Sequence, residues 1–241
     1  MTVLPYKNNN LGKKKQVALM FDNISPRYDF LNHLLSLGID RIWRRKAIKL
    51  LKHKHPKHIL DIATGTGDFA IQSLKLDPES VTGIDISEGM IHHGQQKIEK
   101  RNLNDKIELL IGDSENLAFE DNKFGAVIVA FGVRNFENLS KGLSEMYRVL
   151  NKNGTVVILE FSKPSKFPFK QVYNLYFKYI LPIIGKMVSR DHSAYTYLPE
   201  SVQVFPEGND FLTILSNVGF KEVRCIPLTF GISSIYTGTK A

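Results

Sequence analysis

Short apolar runs alternate with stretches of helical spacing along most of the chain, and this rhythm predicts the fold class. Five runs rich in β-branched residues stand at 57–62, 81–86, 107–111, 126–131 and 155–161, and helical patterns cover 68–76, 87–101 and 137–150. Strands that alternate with helices are typical of βαβ units and a mostly parallel sheet. The last two runs are apolar on both faces, as expected for strands covered by helices on both sides.

The two ends of the chain and one segment after residue 161 depart from this alternation. Helical patterns at 16–36, interrupted by Pro26, and at 40–54 precede the first run, and a helix at 207–217 and strands at 220–226 and 230–238 end the chain. We therefore predict a doubly wound α/β fold with a mostly parallel, seven-stranded sheet, N-terminal helices and a helical insertion before the last two strands. The predicted organisation is a flexible tail at 1–15 and a single domain at 16–241, with a helical cap at 16–56 and an insertion at 163–199.

Charge is concentrated in the N-terminal quarter of the chain. The 241 residues include 32 Lys and Arg against 24 Asp and Glu, yet residues 1–57 alone carry 13 basic and 3 acidic side chains. Such an excess favours nucleic acid, an anionic membrane or an acidic ligand as a partner. Cys225 is the single cysteine, which excludes an internal disulfide and a multi-cysteine zinc site and favours a reducing compartment. Neither a secretory signal nor a run of 18 apolar residues is visible, so we expect a cytoplasmic protein without a spanning helix.

A glycine-rich loop follows the first predicted strand. Glycines let a backbone approach a ligand closely, and open α/β sheets bind ligands at the carboxyl ends of their strands. The loop spacing fits a nicotinamide dinucleotide as well as S-adenosylmethionine. Two residues favour S-adenosylmethionine: Asp61 is placed for its ammonium group and Asp113 for its adenine amino group. Asp85 is placed to accept hydrogen bonds from ribose hydroxyls. The structural alternative is that Asp61 caps a helix while Gly65 and Gly67 only turn the chain.

Two longer strings carry a more specific similarity. They are YDFLNHLLSLGIDRIW at 28–43 and RVLNKNGTVVILEFS at 148–162. Together with FGVRN at 131–135, EFSKP at 160–164 and the segment 191–201, they resemble the signatures of the menaquinone/ubiquinone biosynthesis C-methyltransferases, from about residue 16 to the C-terminus. Thr64 and Ala130 stand where some members have glycine and serine, and Asn153 stands in the usual Lys-Pro-Gly-Gly turn. Asn tolerates a left-handed conformation, so we expect this turn to survive.

The resemblance implies a Rossmann-like class I methyltransferase that uses S-adenosylmethionine to methylate an aromatic carbon of a prenylated naphthoquinol, the last step of menaquinone biosynthesis. It adds Thr66, Asp85, Asp113 and Ser114 as cofactor contacts beside Asp61, Gly65 and Gly67. The catalytic candidates are Arg134, Asn135, Asp191 and Tyr195. Arg134 is expected to stabilise a phenolate or hold a water, because a guanidinium stays charged and is a poor base. Asp191 or that water ranks above His192 as the base, and a purely structural network around Asp191 and the tyrosines is the alternative.

The same residues leave other functions open. The alternative most similar in chemistry is C-methylation of a prenylated benzoquinol in ubiquinone biosynthesis. An RNA methyltransferase ranks lower, because the aromatic residues cluster in 167–197 and FGVRN replaces the Asn/Asp-Pro-Pro-aromatic string of many such enzymes, so no nucleic acid is expected. The intact loop argues against a non-enzymatic subunit. No metal is predicted, because His53, His55 and His58 lie in a Lys- and Pro-rich connector without cysteines or paired carboxylates. The oligomeric state is left open.

Two surface features bear on how a lipid-soluble substrate is reached. An apolar stripe at helical spacing comprises Phe169, Val172, Tyr173, Tyr176, Phe177 and Ile180. It either packs on the sheet or forms a lid that guides a polyprenyl tail from the bilayer. A basic face comprises Arg41, Arg44, Arg45, Lys46 and Lys49, and it either contacts anionic headgroups at the inner face of the membrane or is simply solvated.

Overall fold

Three helices precede the sheet in the computed structural model, which describes residues 3–176, 179 and 193–241. They are α1 (Lys13–Ile24), α2 (Tyr28–Leu35) and α3 (Ile39–Lys49), and a 3₁₀ turn with Pro26 at its start separates α1 from α2. Helix α1 thus begins inside the segment predicted as a flexible tail. The reason is Gln16, whose buried side chain accepts a hydrogen bond from the Tyr6 N–H and donates to the carbonyls of Asn9 and Leu11.

The central sheet has seven strands, which are β1 (His58–Ile62), β2 (Ser80–Asp85), β3 (Ile107–Ile111), β4 (Phe124–Ala130), β5 (Leu150–Phe161), β6 (Lys221–Leu228) and β7 (Ser233–Thr239). They lie in the order β3-β2-β1-β4-β5-β7-β6. Strand β7 is antiparallel to both of its neighbours, and all other pairs are parallel. The predicted seven-stranded, mostly parallel sheet is confirmed.

Helices cover both faces of this sheet. Besides α1 to α3 they are α4 (Asp68–Ser73), α5 (Glu88–Lys100), α6 (Leu139–Val149), α7 (Phe169–Leu175), α8 (Ser193–Val204) and α9 (Asn209–Val218). Along β4, Val127 packs into the apolar cluster under α6 and α9, whereas its neighbour Ile128 packs into the cluster under α3, α4 and α5. Successive side chains of a strand point to opposite faces, so both faces need apolar residues.

The turn at the start of β5 keeps its shape without the usual glycine. Asn153 adopts a left-handed conformation with φ of 62°, as predicted. Its N–H donates to the Lys240 carbonyl at 2.7 Å, and the Lys240 N–H donates to the Gly154 carbonyl at 2.9 Å. The turn therefore also anchors the chain end that follows β7.

The predicted insertion is described in part. Helix α7 covers the first half of the apolar stripe, and α8 runs past the predicted limit at 199 because Pro199 is accommodated inside it. Tyr176 follows α7, whereas Phe177 and Ile180 of the stripe lie outside the described residues. Within the part of the chain that the structure describes, no helix is long and apolar enough to cross a membrane.

Candidate active site

Two cavities open at the carboxyl-terminal edge of the parallel strands. The smaller one, about 60 Å³, is lined by the glycine-rich loop and the ends of β2 and β3, and we call it the glycine-loop cavity. The larger one, about 370 Å³, lies among α1, α3, α7, α8 and the residues that follow β4 and β5, and we call it the aromatic cavity. Phe21, Tyr28 and Phe131 line both cavities, so the two share a wall. A donor in one and an acceptor in the other would meet at this wall.

The turn after β1 needs glycine at two positions. Gly65 has φ of 57° and Gly67, which caps α4, has φ of 83°, both in the left-handed region. Side chains are strained there, and glycine is not. The Gly65 N–H points at the Asp85 carboxylate, with 2.8 Å from N to Oδ2, which ties the loop to the end of β2.

Four predicted cofactor residues line the glycine-loop cavity: Gly65, Asp85, Asp113 and Ser114. Asp85 is buried and accepts the backbone N–H groups of Gly65 and Ser87. Burial raises the pKa of Asp85, and these N–H groups oppose that rise. Asp113 accepts the Glu115 N–H at 2.9 Å through Oδ1 and the Lys14 ammonium at 2.7 Å through Oδ2. Each carboxylate oxygen can accept a second hydrogen bond, so both groups retain capacity for a ligand.

The other three predicted cofactor residues lie behind the cavity wall. Asp61 is fully buried and accepts the Thr64 hydroxyl at 2.6 Å, while its Oδ1 has no partner among the described residues. Burial raises the pKa of Asp61 to about 7, although the Thr64 hydrogen bond lowers it. The Thr66 hydroxyl donates to Asp29 and accepts from Lys97, so it fixes the loop to α2 and α5 rather than facing the cavity. Gly67 serves the turn.

Helix α1 closes the glycine-loop cavity, a role that the sequence analysis missed. Lys14 pairs with both Asp113 at 2.7 Å and Glu115 at 3.4 Å. Lys13 donates to the Arg134 and Phe136 carbonyls, and Asp22, at the other end of the helix, accepts the Gly89 N–H at 2.9 Å. Burial lowers the pKa of Lys13. A run of lysines beside an Asn-rich stretch looks like a solvated tail, and no local signal announces these distant acceptors.

The aromatic cavity has a wall of stacked rings. Phe131 and Phe161 stack with centroids 4.4 Å apart, and Trp43 lies 6.1 and 6.4 Å from them. The Trp43 N–H donates to the Thr229 hydroxyl at 2.8 Å, which fixes the indole. Phe131 has φ of 60°, and its N–H donates to the Leu159 carbonyl at 2.7 Å. A wall of this kind suits a flat aromatic ring.

Arg134 faces the aromatic cavity and is paired with the carboxylate of Glu160, a residue to which the sequence analysis gave no role. Its Nη1 lies 2.9 Å from Oε1 of Glu160, and the two side chains are 7% and 0% exposed. The same oxygen accepts the Phe161 N–H at 2.8 Å, and Arg134 Nε donates to the Ser201 hydroxyl at 3.3 Å. Burial raises the pKa of Glu160, and the Arg134 charge opposes this. Asn135, the next residue, lines the glycine-loop cavity instead.

A second charged cluster lines the aromatic cavity on the side of α3. Buried Asp40 accepts the Ser36 hydroxyl at 2.7 Å and contacts Arg44 and His33. Burial opposes ionisation of Asp40, but these three partners outweigh it and hold its pKa below the usual value. The prediction of an exposed basic face is wrong for Arg44, which is buried in this cluster. Arg41, Arg45, Lys46 and Lys49 are exposed as expected.

The remaining predicted catalytic residues lie wholly or partly outside the described part of the structure. Asp191 and His192 lie outside the described residues, so their roles stay predictions. Tyr195 lies on α8, but the position of its side chain is not described. No group of three His, Cys, Asp or Glu side chains suited to a metal occurs within 3–176, 179 and 193–241.

Known proteins share both the sequence and the fold. Residues 9–240 match the ubiE/COQ5 methyltransferase family. The chain is 53% identical to a demethylmenaquinone methyltransferase of Bacteroides fragilis, over 99% of this chain and 97% of the relative. It is 46% identical to a ubiquinone/menaquinone biosynthesis C-methyltransferase of Geotalea daltonii, over 95% and 97%. A crystal structure of a methyltransferase from Thermotoga maritima, described as a possible histamine N-methyltransferase, shares the fold, with a TM-score of 0.63, 18% identity and coverage of 92% and 99%.

Proposed function

The chain belongs to the ubiE/COQ5 methyltransferase family, and on that basis we propose that it transfers a methyl group from S-adenosylmethionine to a ring carbon of a prenylated naphthoquinol, converting demethylmenaquinol to menaquinol. The observation that carries the proposal is the 53% identity to a demethylmenaquinone methyltransferase along nearly the whole chain. A relative at 46% identity is named for both quinones, so a benzoquinol is the second candidate.

The glycine-loop cavity fits S-adenosylmethionine by the chemistry of its residues. Asp85 and Asp113 offer acceptors for ribose hydroxyls and an adenine amino group, and the φ of Gly65 brings backbone to the cavity without a side chain. Asn135 lines this cavity, and its buried Oδ1 lacks a partner among the described residues, which leaves acceptor capacity at this edge. When bound, S-adenosylmethionine supplies an electrophilic methyl group on a positively charged sulfur.

The aromatic cavity fits the acceptor. A quinol ring carbon is a poor nucleophile until a neighbouring hydroxyl loses its proton and pushes charge into the ring. The wall formed by Trp43 and the stacked rings of Phe131 and Phe161 holds a flat ring beside the wall shared with the glycine-loop cavity. Arg134 stays charged and stabilises the phenolate, and Glu160 holds the guanidinium in place. Orientation of this kind is worth much of the barrier, because the reacting atoms must approach to about 3–3.5 Å.

We place the prenyl tail at the open rim of this cavity. Leu37 and Val172 line the cavity and are 84% and 62% exposed, and exposed Phe230 stacks on Phe169 of the lining at 3.7 Å. Exposed apolar residues around a cavity mouth favour contact with a membrane or another apolar surface. The exposed cations of α3 would add about 1 kcal/mol each near anionic headgroups. Flotation with anionic vesicles at low and high salt tests this: no binding at low salt would contradict it.

A direct assay tests the activity. Purified enzyme with S-adenosylmethionine and a reduced, short-chain demethylnaphthoquinol should yield the methylated quinol, detected by mass spectrometry. The matching benzoquinol precursor in a parallel reaction identifies the preferred ring. A deletion strain should accumulate demethylmenaquinone, and an unchanged quinone profile would refute the assignment.

A further inference from the structure

A polar corner interrupts the aromatic cavity where α8 meets the residues after β4. Tyr197 and Ser201 are four residues apart on α8 and therefore lie on one face of the helix. The Ser201 hydroxyl accepts from Arg134 Nε at 3.3 Å, so this face is turned toward the Arg134–Glu160 pair. Tyr197 and Arg134 both line the cavity.

The hydroxyl of Tyr197 stands out within this corner. Its side chain is 2% exposed, and among the described residues no group hydrogen-bonds to it. By contrast, the equally buried Tyr236 accepts the Gly208 N–H at 2.9 Å. Buried hydroxyls in folded proteins nearly always have a partner, because an unsatisfied one is unfavourable. An unsatisfied hydroxyl in the wall of a substrate-sized cavity therefore points to a ligand atom.

The protonation state of Tyr197 decides which kind of ligand atom it suits. Burial raises its pKa to about 12, while the Arg134 charge lowers it and Glu160 raises it. Near neutral pH the phenol keeps its proton and acts as a hydrogen-bond donor. The matching ligand atom is an acceptor, and an oxygen that becomes negatively charged is the strongest acceptor.

We propose that the Tyr197 hydroxyl donates a hydrogen bond to the quinol oxygen that becomes a phenolate, beside Arg134. The inference rests on the proposed function and deepens it by assigning the residue that binds this oxygen. Tyr197 keeps its proton throughout; it stabilises the charge in the ring and leaves proton removal to another group. Preorganised donors aimed at a developing oxyanion are among the largest contributions to catalysis.

Tyr197→Phe removes the hydroxyl and leaves the ring. We expect kcat/KM for the quinol to fall about 10- to 100-fold, since hydrogen bonds to charged groups fall in that range. The acid limb of the pH–rate profile should move to higher pH, because loss of the donor raises the pKa of the bound quinol hydroxyl. S-Adenosylmethionine affinity by calorimetry should not change. The melting temperature of the substrate-free enzyme should rise, because an unsatisfied buried hydroxyl is gone.

Tyr147→Phe is the matched control, since Tyr147 packs against Phe220 in the cluster under α6 and α9, away from both cavities. It should leave the kinetics unchanged. Unchanged kcat, KM and pH profile in Tyr197→Phe would overturn the inference, and so would a melting temperature that falls together with activity, which marks a structural role. A full effect in Tyr195→Phe with none in Tyr197→Phe would transfer the role to Tyr195. A wild-type enzyme that methylates no quinol would overturn the proposed function and this inference with it.

Discussion

Replacing Glu160 measures how much its buried ion pair with Arg134 stabilises the protein. Glu160→Gln keeps the shape of the side chain but removes the negative charge opposite Arg134. In the native protein this carboxylate accepts the Arg134 guanidinium at 2.9 Å, the Phe161 N–H at 2.8 Å and the Arg134 N–H at 3.3 Å. A glutamine places an NH₂ group against one of these donors and leaves the guanidinium without a counter-charge.

The expected loss follows from the burial of both partners. Breaking a buried ion pair by removing one partner lowers the free energy of unfolding by about 3–5 kcal/mol. In a chain of this size that corresponds to a fall in melting temperature of roughly 10 °C, at about 2–4 °C per kcal/mol. The protein should remain folded, because domains are typically stable by about 5–15 kcal/mol.

The assay is urea denaturation of the two proteins at neutral pH, with Glu79→Gln as the control. Glu79 pairs with Lys57 at 2.8 Å, nearly the same separation, but these side chains are 57% and 75% exposed. Exposed pairs contribute about 0–1 kcal/mol, so the control should lose little. Equal losses in the two variants would refute the argument that burial, rather than the contact itself, gives the pair its energetic weight.

Further predictions concern the surroundings of the glycine-loop cavity and the lining of the aromatic cavity. Burial raises the pKa of Asp61 to about 7 in the folded protein, so wild type is most stable at low pH, where this carboxyl is neutral, and loses stability as pH rises through about 7. An asparagine has no such penalty, so the stability of Asp61→Asn relative to wild type should increase from pH 4 to pH 8. Urea titrations that show a constant difference would contradict this. Lys14→Ala should loosen α1 and speed both association and dissociation of S-adenosylmethionine in stopped-flow fluorescence, while Lys7→Ala, which removes only an exposed pair with Glu200, should not; identical rates in all three proteins would argue against a closing role for α1. Tyr197→Phe should lower kcat/KM and raise the melting temperature together, as set out above.

Sequence periodicity was sufficient to locate the first five strands of the sheet. The runs that became β1 to β5 were identified within a few residues, because strands covered by helices on both faces are apolar along most of their length. The loop residues Gly65, Asp85, Asp113 and Ser114 converged at one edge for the same reason, since consecutive parallel strands present their carboxyl ends together.

Contacts between distant segments were beyond the reach of such patterns. Lys14 looked like part of a solvated tail and Arg44 like part of an exposed basic face, yet Lys14 closes a cavity over Asp113, and the Arg44 guanidinium lies over the Phe131 ring, 5.6 Å from its centroid. The partners of Thr66 were not visible either: its hydroxyl holds the loop to α2 and α5 through Asp29 and Lys97. The charge of a residue is visible in the chain, but its burial and its partner are not.

The sequence by itself therefore predicted the class of sheet and the family, and it indicated the edge of the sheet at which we expect ligands to bind. These conclusions rest on local periodicity and on short strings that span neighbouring elements, as residues 28–43 cover α2 and the start of α3. Only the tertiary structure decided which side chains meet at the aromatic cavity. Arg134 lines it with Glu160 paired behind, and Tyr197 lines it with a hydroxyl that has no partner among the described residues. The physical reason is that pairing energies and pKa shifts depend on distance and burial, and both are set by how segments more than twenty residues apart pack together.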